Sequence, residues 1–283
     1  DDLKIRFGYG VTGNNDFSAT YMANMLGSDT NWMMPNGTWA YSYGKSQNVN
    51  PNLGWEEKKE WNLGVDYSFF EGRLYGKFDY YRREVDNLLF SVKVPQPPYT
   101  QGSQMQNIGS MESKGWEFEV GGDIIRTKDF TWSSSMNLSH NTGKILTLEG
   151  DNSYHNGNGF VAPGTPGDAA RMEAGSTIGS FYMWKFAGFD DEGSFLLYNK
   201  DGEVIPAAQK TENDKQYIGN YTPKLIIGWS HTLTYKNFDL GINLRSWIDF
   251  DVYNTINMYY GIQGQGNLNV LKDAYGKFNH IKG

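Results

Sequence analysis

The segment from Trp55 to Phe90, WEEKKEWNLGVDYSFFEGRLYGKFDYYRREVDNLLF, predicts a hairpin of two long β-strands. Apolar side chains occupy every second position from Trp61 to Phe69, and polar or small residues fill the positions between them. The same alternation returns from Leu74 to Tyr81, after a short turn at residues 70–73. A period of two places successive side chains on opposite faces, as a β-strand does.

Both arms of this hairpin are long enough to cross a membrane. A strand of a soluble sheet is usually about five or six residues, whereas a tilted strand that crosses a bilayer needs roughly 9 to 11. Asp66, Lys77 and Asp79 lie along the polar face. A dry core would not tolerate these charges without partners, but the water-filled lumen of a barrel would. The segment therefore predicts two wall strands of an all-β, antiparallel outer-membrane β-barrel.

The short and long connections between the alternating segments support this fold. Counting the hairpin, seven spanning strands are predicted, and the other five begin near Leu3, Trp116, Trp132, Leu225 and Leu240. Tight turns near residues 71, 128 and 237 alternate with long connections at 11–54, 95–113 and 143–220. Outer-membrane barrels have short periplasmic turns and long extracellular loops. Aromatic residues flank each short turn, which predicts a girdle at the periplasmic interface.

The direction of the strands constrains the long middle segment. If the turns near residues 128 and 237 both lie in the periplasm, an even number of crossings separates the fifth strand from the sixth. Zero is the simplest number. The short strand-like pieces between residues 181 and 205 are then predicted to form an extracellular hairpin within a long loop.

Several segments, in a fixed order, resemble one protein family. The hairpin is preceded by NPNLG and followed by VPQPP, NIGSMESKGWEFEV, YIGNYTPKLIIGW and YKNFDLGINL, and the similarity runs from about Leu3 to about Asn254. This order resembles the C-terminal half of a SusC/RagA-type TonB-dependent transporter. The resemblance implies a 22-stranded barrel with an N-terminal plug. It also implies a SusD-like surface lipoprotein that closes over the extracellular loops, and energy supplied through TonB, which acts on the missing plug region.

The chain is expected to be a fragment of such a barrel. Seven strands do not close an ordinary single-chain barrel, in which the number is even. The first residues already have the pattern of a strand and contain no signal peptide, and the end, KFNHIKG, lacks a final aromatic-ending strand. We expect residues 1–283 to be part of a single TonB-dependent transporter barrel domain, with the plug domain and the final strands absent.

The composition excludes several classes of function. The 283 residues include no cysteine, so neither disulfides nor a thiolate metal site are available, and no cofactor is predicted. The formal net charge of -7 argues against a nucleic-acid partner, which would require a basic surface. No apolar run approaches the length of a helical membrane span.

Three motifs suggest other chemistry, and in each the plainer structural reading is favoured. Gly8 to Gly13 matches the G-x-G-x-x-G pattern of dinucleotide sites, but a strand leading into a loop explains it better. Glu117 and Glu119 have the spacing of a paired-carboxylate site, although any strand with an inward polar face produces such pairs. The acidic stretch from Asp190 to Glu203 admits calcium, but an Asp-Gly hairpin turn is favoured. No enzymatic activity is predicted.

Aromatic residues of the long loops are the candidate substrate-binding groups. Flat apolar faces beside Asn, Gln and Asp suit sugar rings, which stack on aromatic side chains and hydrogen bond through their hydroxyls. The candidates are Trp32, Trp39, Tyr41, Tyr43, Tyr99, Tyr154, Phe160, Tyr259 and Tyr260.

The functional hypothesis is import across the bacterial outer membrane, in contact with outer-membrane lipid. The resemblance implies oligosaccharides as the substrate, or peptides, captured between the barrel and the SusD-like lipoprotein. One alternative is a TonB-dependent receptor for a small ligand such as a siderophore. Another is an all-β carbohydrate-binding protein without a transport role, which would have to bury the apolar strand faces against a second sheet.

Overall fold

The computed structural model describes residues 1–15, 18–148, 154–156, 169–261 and 269–272. Its strands are β1 (Asp2–Asn14), β2 (Leu26–Met33), β3 (Trp39–Lys45), β4 (Glu56–Phe69), β5 (Leu74–Asp86), β6 (Leu89–Lys93), β7 (Ser103–Asn107), β8 (Ser110–Arg126), β9 (Phe130–Thr147), β10 (Tyr154–Asn156), β11 (Arg171–Glu173), β12 (Ser180–Met183), β13 (Lys185–Phe189), β14 (Phe195–Tyr198), β15 (Val204–Pro206), β16 (Gln216–Asn220), β17 (Leu225–Tyr235) and β18 (Phe238–Ile248). The helical elements are 3-10 turns at Ala19–Met22, Ala207–Gln209 and Glu212–Asp214 and a short α-helix, α1 (Thr255–Tyr260).

Seven of these strands form one antiparallel sheet in the order β1-β4-β5-β8-β9-β17-β18. They are the seven spanning strands that the alternation predicts. Strand β9 pairs directly with β17 in an uninterrupted register from Phe130 opposite Tyr235 to Ser139 opposite Ile226. The prediction of zero crossings between the fifth and sixth spanning strands is therefore confirmed. Among the described residues β1 and β18 are the two edges of the sheet, so this part of the wall is open.

The two faces of the sheet differ sharply in polarity. On the outward face of β1, Leu3 is 61%, Ile5 70% and Phe7 72% exposed. Paired residues share a face, and the apolar row through Ile5 continues across β4, β5, β8 and β9 as Val65, Phe78, Phe118 and Leu138. A soluble protein rarely exposes so continuous an apolar surface, whereas a barrel wall presents it to lipid.

Tyrosine rings close the gaps that glycines leave between neighbouring strands. Gly76 lies beside Tyr67, and a Cβ at Gly76 would come within 2.6 Å of the ring carbon Cζ. Gly115 has the same relation to Tyr81 on the opposite face, where a Cβ would come within 2.8 Å of the ring carbon Cζ. These glycines are therefore required for close approach, since any larger side chain would displace a ring that packs across the sheet.

The aromatic girdle predicted at the short turns is present. Phe70 is 69%, Tyr235 52% and Phe238 77% exposed at the turns that join β4 to β5 and β17 to β18. His231 is polar but lies in the outward register of β17, and its Nδ1 accepts a hydrogen bond of 3.3 Å from Nε1 of Trp132. The girdle thus also supplies the partner that a polar group needs near lipid.

A second aromatic row, which the sequence analysis did not identify, marks the extracellular end of the apolar face. It consists of Tyr9, Trp61, Tyr80 and Trp116. Ring centroids of Trp61 and Tyr80 are 5.4 Å apart. At about 3.3 Å per residue, the distance from Trp61 to Phe69 is roughly 26 Å along the strand, close to the band of about 25 Å that outer-membrane barrels present to lipid.

Above this second row, both faces of the sheet carry charged residues. On the outward face Glu112, whose side chain is 10% exposed, accepts from Arg82 at 2.6 Å and from Lys114 at 3.3 Å. Lys59 lies 2.9 Å from Asp86 in the same region. Strands β8 and β9 have 17 and 18 residues, more than the roughly 9 to 11 that cross a bilayer. The sheet therefore extends beyond the membrane into the extracellular space.

Two of the predicted loops are more ordered than the sequence indicated. The connection at 11–54 contains the tail of β1 and the β2–β3 hairpin, and the connection at 95–113 contains β7 and the first residues of β8. The sequence signal failed here because these hairpins lie outside the membrane, where no lipid face imposes a strict alternation. The extracellular hairpin expected at 181–205 is present from Lys185 onward as the sheet β13-β14-β15, whereas Phe181 belongs to β12, which pairs with β16. In the parts of the chain described, no helix is long and apolar enough to cross a membrane.

The assignment of the outward face predicts the effect of a buried charge. Ile5→Arg places a guanidinium near the middle of the apolar band, where arginine costs about 2–4 kcal/mol. Gly10→Arg is the matched control, because Gly10 lies on the opposite face and its Cβ would meet nothing within 4 Å. We expect a reduced folded fraction of the full-length protein for Ile5→Arg only, measured by heat-modifiable migration of outer-membrane extracts. Equal losses in both variants would contradict the assignment.

Candidate functional site

The inward face of the sheet carries a cluster of charges at the level of the membrane. Arg6 donates from Nε and Nη2 to the two carboxylate oxygens of Asp66, at 2.7 and 2.8 Å. Its Nη2 also donates to Asp79, at 2.9 Å. One planar guanidinium therefore joins β1, β4 and β5 on their lumen side, with the paired geometry that arginine forms with carboxylates.

The paired carboxylates of β8 extend this charged surface. Glu119 lies 3.1 Å from Nζ of Lys77 on β5, and Glu117 lies opposite Asp79 in the register. Both glutamates occupy the inward face, as the sequence analysis predicted for residues that line a lumen. A carboxylate held by a lysine is an ion-pair acceptor, so this geometry supports lining the lumen and not a glycosidase pair.

The extracellular segments are held together by asparagine side chains. Asn48, which is 6% exposed, donates from Nδ2 to the backbone oxygens of Gln101 and Ser103, at 2.6 and 2.8 Å. Its Oδ1 accepts from the backbone nitrogens of Thr100 and Gln101, both at 3.1 Å. Every hydrogen-bonding position of this amide is used, so the return of the first loop is tied to the β6–β7 hairpin.

A second asparagine repeats the arrangement at the end of the same loop. Asn107 donates from Nδ2 to the backbone oxygen of Gly54 at 2.9 Å, and its Oδ1 accepts from the nitrogen of Gly54 at 2.7 Å. Leu53, Leu88, Val92 and Ile108, which belong to the same segments, are all buried. The loops at this end of the wall therefore form a packed platform.

Three of the predicted aromatic residues form an exposed stripe on the β2–β3 hairpin. Trp39, Tyr41 and Tyr43 alternate along β3 and are 64%, 71% and 69% exposed. Residues two apart on a strand share a face and are roughly 6.8 Å apart. Trp32 lies opposite Ala40 in the register, so it belongs to the reverse face of the hairpin. We call Trp39, Tyr41 and Tyr43 the aromatic stripe.

The other predicted aromatic residues are placed in several different segments. Tyr99 is half-buried in the loop between β6 and β7. Tyr259 and Tyr260 are half-buried in α1, with ring centroids 5.2 Å apart. Tyr154 begins β10, opposite Glu173 in the register. Phe160 lies outside the described residues.

The acidic stretch from Asp190 to Glu203 forms two turns, in accordance with the favoured reading. Oδ1 of Asp190 accepts from the backbone nitrogens of Glu192 and Ser194, at 3.0 and 2.7 Å. Oδ1 of Asn199 accepts in the same way from Asp201 and Glu203. These side chains close the turns of the β13-β14-β15 sheet. Within the described residues, no group of three or more His, Cys, Asp and Glu side chains could hold a metal ion.

A buried carboxylate caps the turn that follows this sheet. Oδ2 of Asp214 accepts from the hydroxyl and the backbone nitrogen of Thr211, at 2.7 and 2.8 Å, and Oδ1 accepts from the nitrogen of Lys200 at 3.3 Å. The hydrogen bonds from Thr211, reinforced by the one from Lys200, hold the pKa of Asp214 below its ordinary value of 3.8. The carboxylate form therefore stabilises the folded loop.

The fold, the charged inward face and the packed extracellular loops define the class of protein. A wall of membrane-length strands with these features belongs to an outer-membrane β-barrel. The sequence profile of the family described as TonB dependent receptor-like, beta-barrel, matches residues 1–254. The chain belongs to this family, whose members lie in the bacterial outer membrane.

Relatives in two organisms agree with this assignment. The chain is 32% identical over 264 residues to the TonB-dependent receptor SusC of Bacteroides thetaiotaomicron, a match that covers 89% of this chain and 25% of that protein. It is 34% identical over 222 residues to the TonB-dependent receptor P3 of Formosa agariphila, which covers 73% of this chain and 22% of the relative. The chain thus spans about a quarter of the length of these relatives.

Solved structures show the same fold. The chain superposes on the RagAB peptide importer in its "open-open" state with a TM-score of 0.75 and 26% identity, over 94% of this chain and 28% of that one. A second structure of the RagAB peptide transporter gives a TM-score of 0.70 over 86% of this chain and 26% of that chain. The SusC/RagA-type resemblance is therefore confirmed, and these relatives are receptors and transporters.

The amide of Asn48 gives a prediction for the extracellular platform. Asn48→Ala removes the side-chain hydrogen bonds to the backbone of Thr100, Gln101 and Ser103, each of which contributes about 0.5–1.5 kcal/mol. We expect faster amide hydrogen exchange across 100–107 in the full-length protein. Asn52→Ala is the control, since Asn52 is an exposed asparagine of the same segment. Unchanged exchange in Asn48→Ala would show that its hydrogen bonds do not hold the platform.

Asp214 gives a prediction for the effect of pH. Because its folded pKa is lowered, its contribution is complete above about pH 4 and is lost as the pH falls through the folded pKa. At pH 6, Asp214→Asn should reduce the amide protection factors at Lys200 and Thr211 several-fold, because the carboxylate accepts hydrogen bonds from both backbone nitrogens. The difference between the variant and the native protein should shrink below pH 3.8. Asp201→Asn, at a neighbouring exposed turn, should show no such difference.

Proposed function

We propose that this chain is part of the barrel domain of a SusC-type importer that takes up oligosaccharides across the outer membrane. The proposal includes a SusD-like surface lipoprotein that covers the extracellular loops, and TonB, which acts through a plug domain of the same protein. Residues 1–283 supply wall strands and loops of that single barrel. The similarity to SusC, at 32% identity over 89% of this chain, supports the class of importer.

The aromatic stripe is the observation that supports oligosaccharides as the substrate. Trp39, Tyr41 and Tyr43 present three exposed rings on one face of a hairpin outside the membrane. Exposed rings at a regular spacing suit a chain of sugar rings, because each ring can stack on an apolar sugar face. Asn31 lies opposite Tyr41 and supplies an amide on the same hairpin. A polar, charged lumen wall then follows below, which suits a hydrated cargo.

Peptides are the second candidate substrate, because the solved RagAB structures to which this chain is similar are described as a peptide transporter and importer. A peptide would bind through its backbone, by pairing with an exposed strand edge, and would use the aromatic rings for side chains. The two substrates therefore place different demands on the same hairpin: glycans need the rings, and peptides need the backbone edge.

The aromatic stripe gives the test. In the full-length protein, Trp39→Ala with Tyr41→Ala and Tyr43→Ala should weaken oligosaccharide binding by about tenfold or more, since ring contacts are each worth about 0.5–1.5 kcal/mol. Trp32→Ala removes an exposed ring from the reverse face of the same hairpin and should leave the affinity unchanged. Binding is measured by calorimetry against glycans selected on an array.

Three outcomes would separate the alternatives. Binding of a peptide library with no glycan bound would replace the substrate class. A co-purification of the full-length protein from solubilised outer membrane tests the lid, and a stoichiometric SusD-like lipoprotein is expected. A barrel recovered alone would instead favour a receptor for a small ligand such as a siderophore.

A further inference from the structure

An open groove of about 660 Å³ lies on the outward face of the wall, near the periplasmic turns. It spans the width of four strands, β5, β8, β9 and β17. Leu74, Val120, Met136 and Trp229 form its sides, and Gly122 and Ser134 lie at its floor. Its volume is in the range of roughly 300–1,000 Å³ that small-molecule sites occupy.

The groove exists because two small residues fall in one row of the outward face. Leu74, Gly122, Ser134 and His231 are register partners across the four strands, so Gly122 and Ser134 lie side by side. The indole Nε1 of Trp229 donates to Oγ of Ser134 at 3.0 Å, which fixes the ring at the edge of the depression. The position of this side of the groove is therefore set by a hydrogen bond.

A β-bulge builds up the opposite, periplasmic side. The register between β8 and β9 shifts between Asp123 and Ile125, which inserts Ile124 as an additional residue. Ile124 lines the groove and is 50% exposed. By alternation from Gly122, Ile124 falls on the outward face, and the register shift brings Ile125 opposite Trp132 on that face as well, so the bulge adds a second apolar side chain there.

The groove combines an apolar channel with a cation at one end. Arg73, the last residue of the β4–β5 turn, lines its periplasmic end beside Phe70, a residue of the periplasmic girdle. Asp123 also borders the groove, but its carboxylate is held by Arg126 at 2.6 Å and by the hydroxyl of Ser133 at 2.6 Å. The charge of Asp123 is thereby balanced, whereas Arg73 is exposed and lies in the periplasmic turn, at the level of the lipid phosphates.

We propose that this groove binds one phospholipid of the periplasmic leaflet. An acyl chain lies along Leu74, Val120, Met136 and Trp229, and the phosphate pairs with Arg73. The general contact of a barrel with lipid explains neither a depression of this size nor its position at a girdle. Lipopolysaccharide is the less suitable occupant, because it belongs to the leaflet at the other end of the apolar band. The proposal does not depend on the imported substrate.

The test uses the full-length transporter, purified in mild detergent and examined by native mass spectrometry with added dipalmitoyl phosphatidylglycerol. The native protein should retain one phospholipid. Ser134→Phe fills the floor of the groove and should lower the apparent affinity by about tenfold or more, and Arg73→Gln should lower it several-fold. Ser246→Phe is the matched control, because Ser246 lies on the same outward face opposite Ile227, outside the groove. It should bind as the native protein does.

Each remaining result would count for or against the site. Heat-modifiable migration shows which variants are folded, and Val120→Phe fills the same groove if Ser134→Phe does not fold. Equal phospholipid binding by the native protein and a folded groove variant would overturn the proposal. Recovery of lipopolysaccharide in place of phospholipid, with the same dependence on Ser134, would overturn the choice of leaflet.

Discussion

The structure depends on one constraint, which is that a backbone in a bilayer must satisfy all its hydrogen bonds without water. The seven spanning strands meet it by pairing in continuous antiparallel ladders, such as the thirteen-residue β1 against β4. Once the ladders exist, side chains can alternate only between lipid and lumen. The low overall hydropathy of the chain follows from this geometry, since half of each strand faces water.

The distribution of charges distinguishes this wall from a soluble sheet. Arg6, Asp66 and Asp79 lie on the inward face, where water in the lumen can hydrate the polar atoms that the ion pairs do not use. On the outward face, the ion pairs of Lys59 and Glu112 lie level with or above the row that contains Trp61. If a second sheet packed on this face, the face would be apolar along its whole length, with no change from apolar to charged residues. The alternative of a carbohydrate-binding protein with two packed sheets therefore does not fit. The outward charges begin where the membrane ends.

The sequence predicted the wall well and the extracellular parts poorly, for a physical reason. Within the membrane, successive side chains face lipid and lumen in strict alternation, so the strand from Trp61 to Phe69 could be predicted from the sequence alone. Outside it, Asn48 and Asn107 hold loops through bonds to backbone groups more than fifty residues away in sequence, and no local pattern encodes such partners. The aromatic stripe was identified by residue type alone. Its separation from Trp32 became apparent only from the register of β2 against β3.

The ordered loops bear on how the protein could select a substrate. A flexible loop must be ordered when ligand binds, and that entropy opposes affinity. Here the return of the first loop is fixed to the β6–β7 hairpin by the amide of Asn48, and Leu53 and Ile108 of the same segments are buried. Part of the loss of loop entropy therefore occurs on folding and does not oppose binding. The strands that extend beyond the membrane carry this platform, so the wall that satisfies the bilayer also provides a fixed base for recognition outside it.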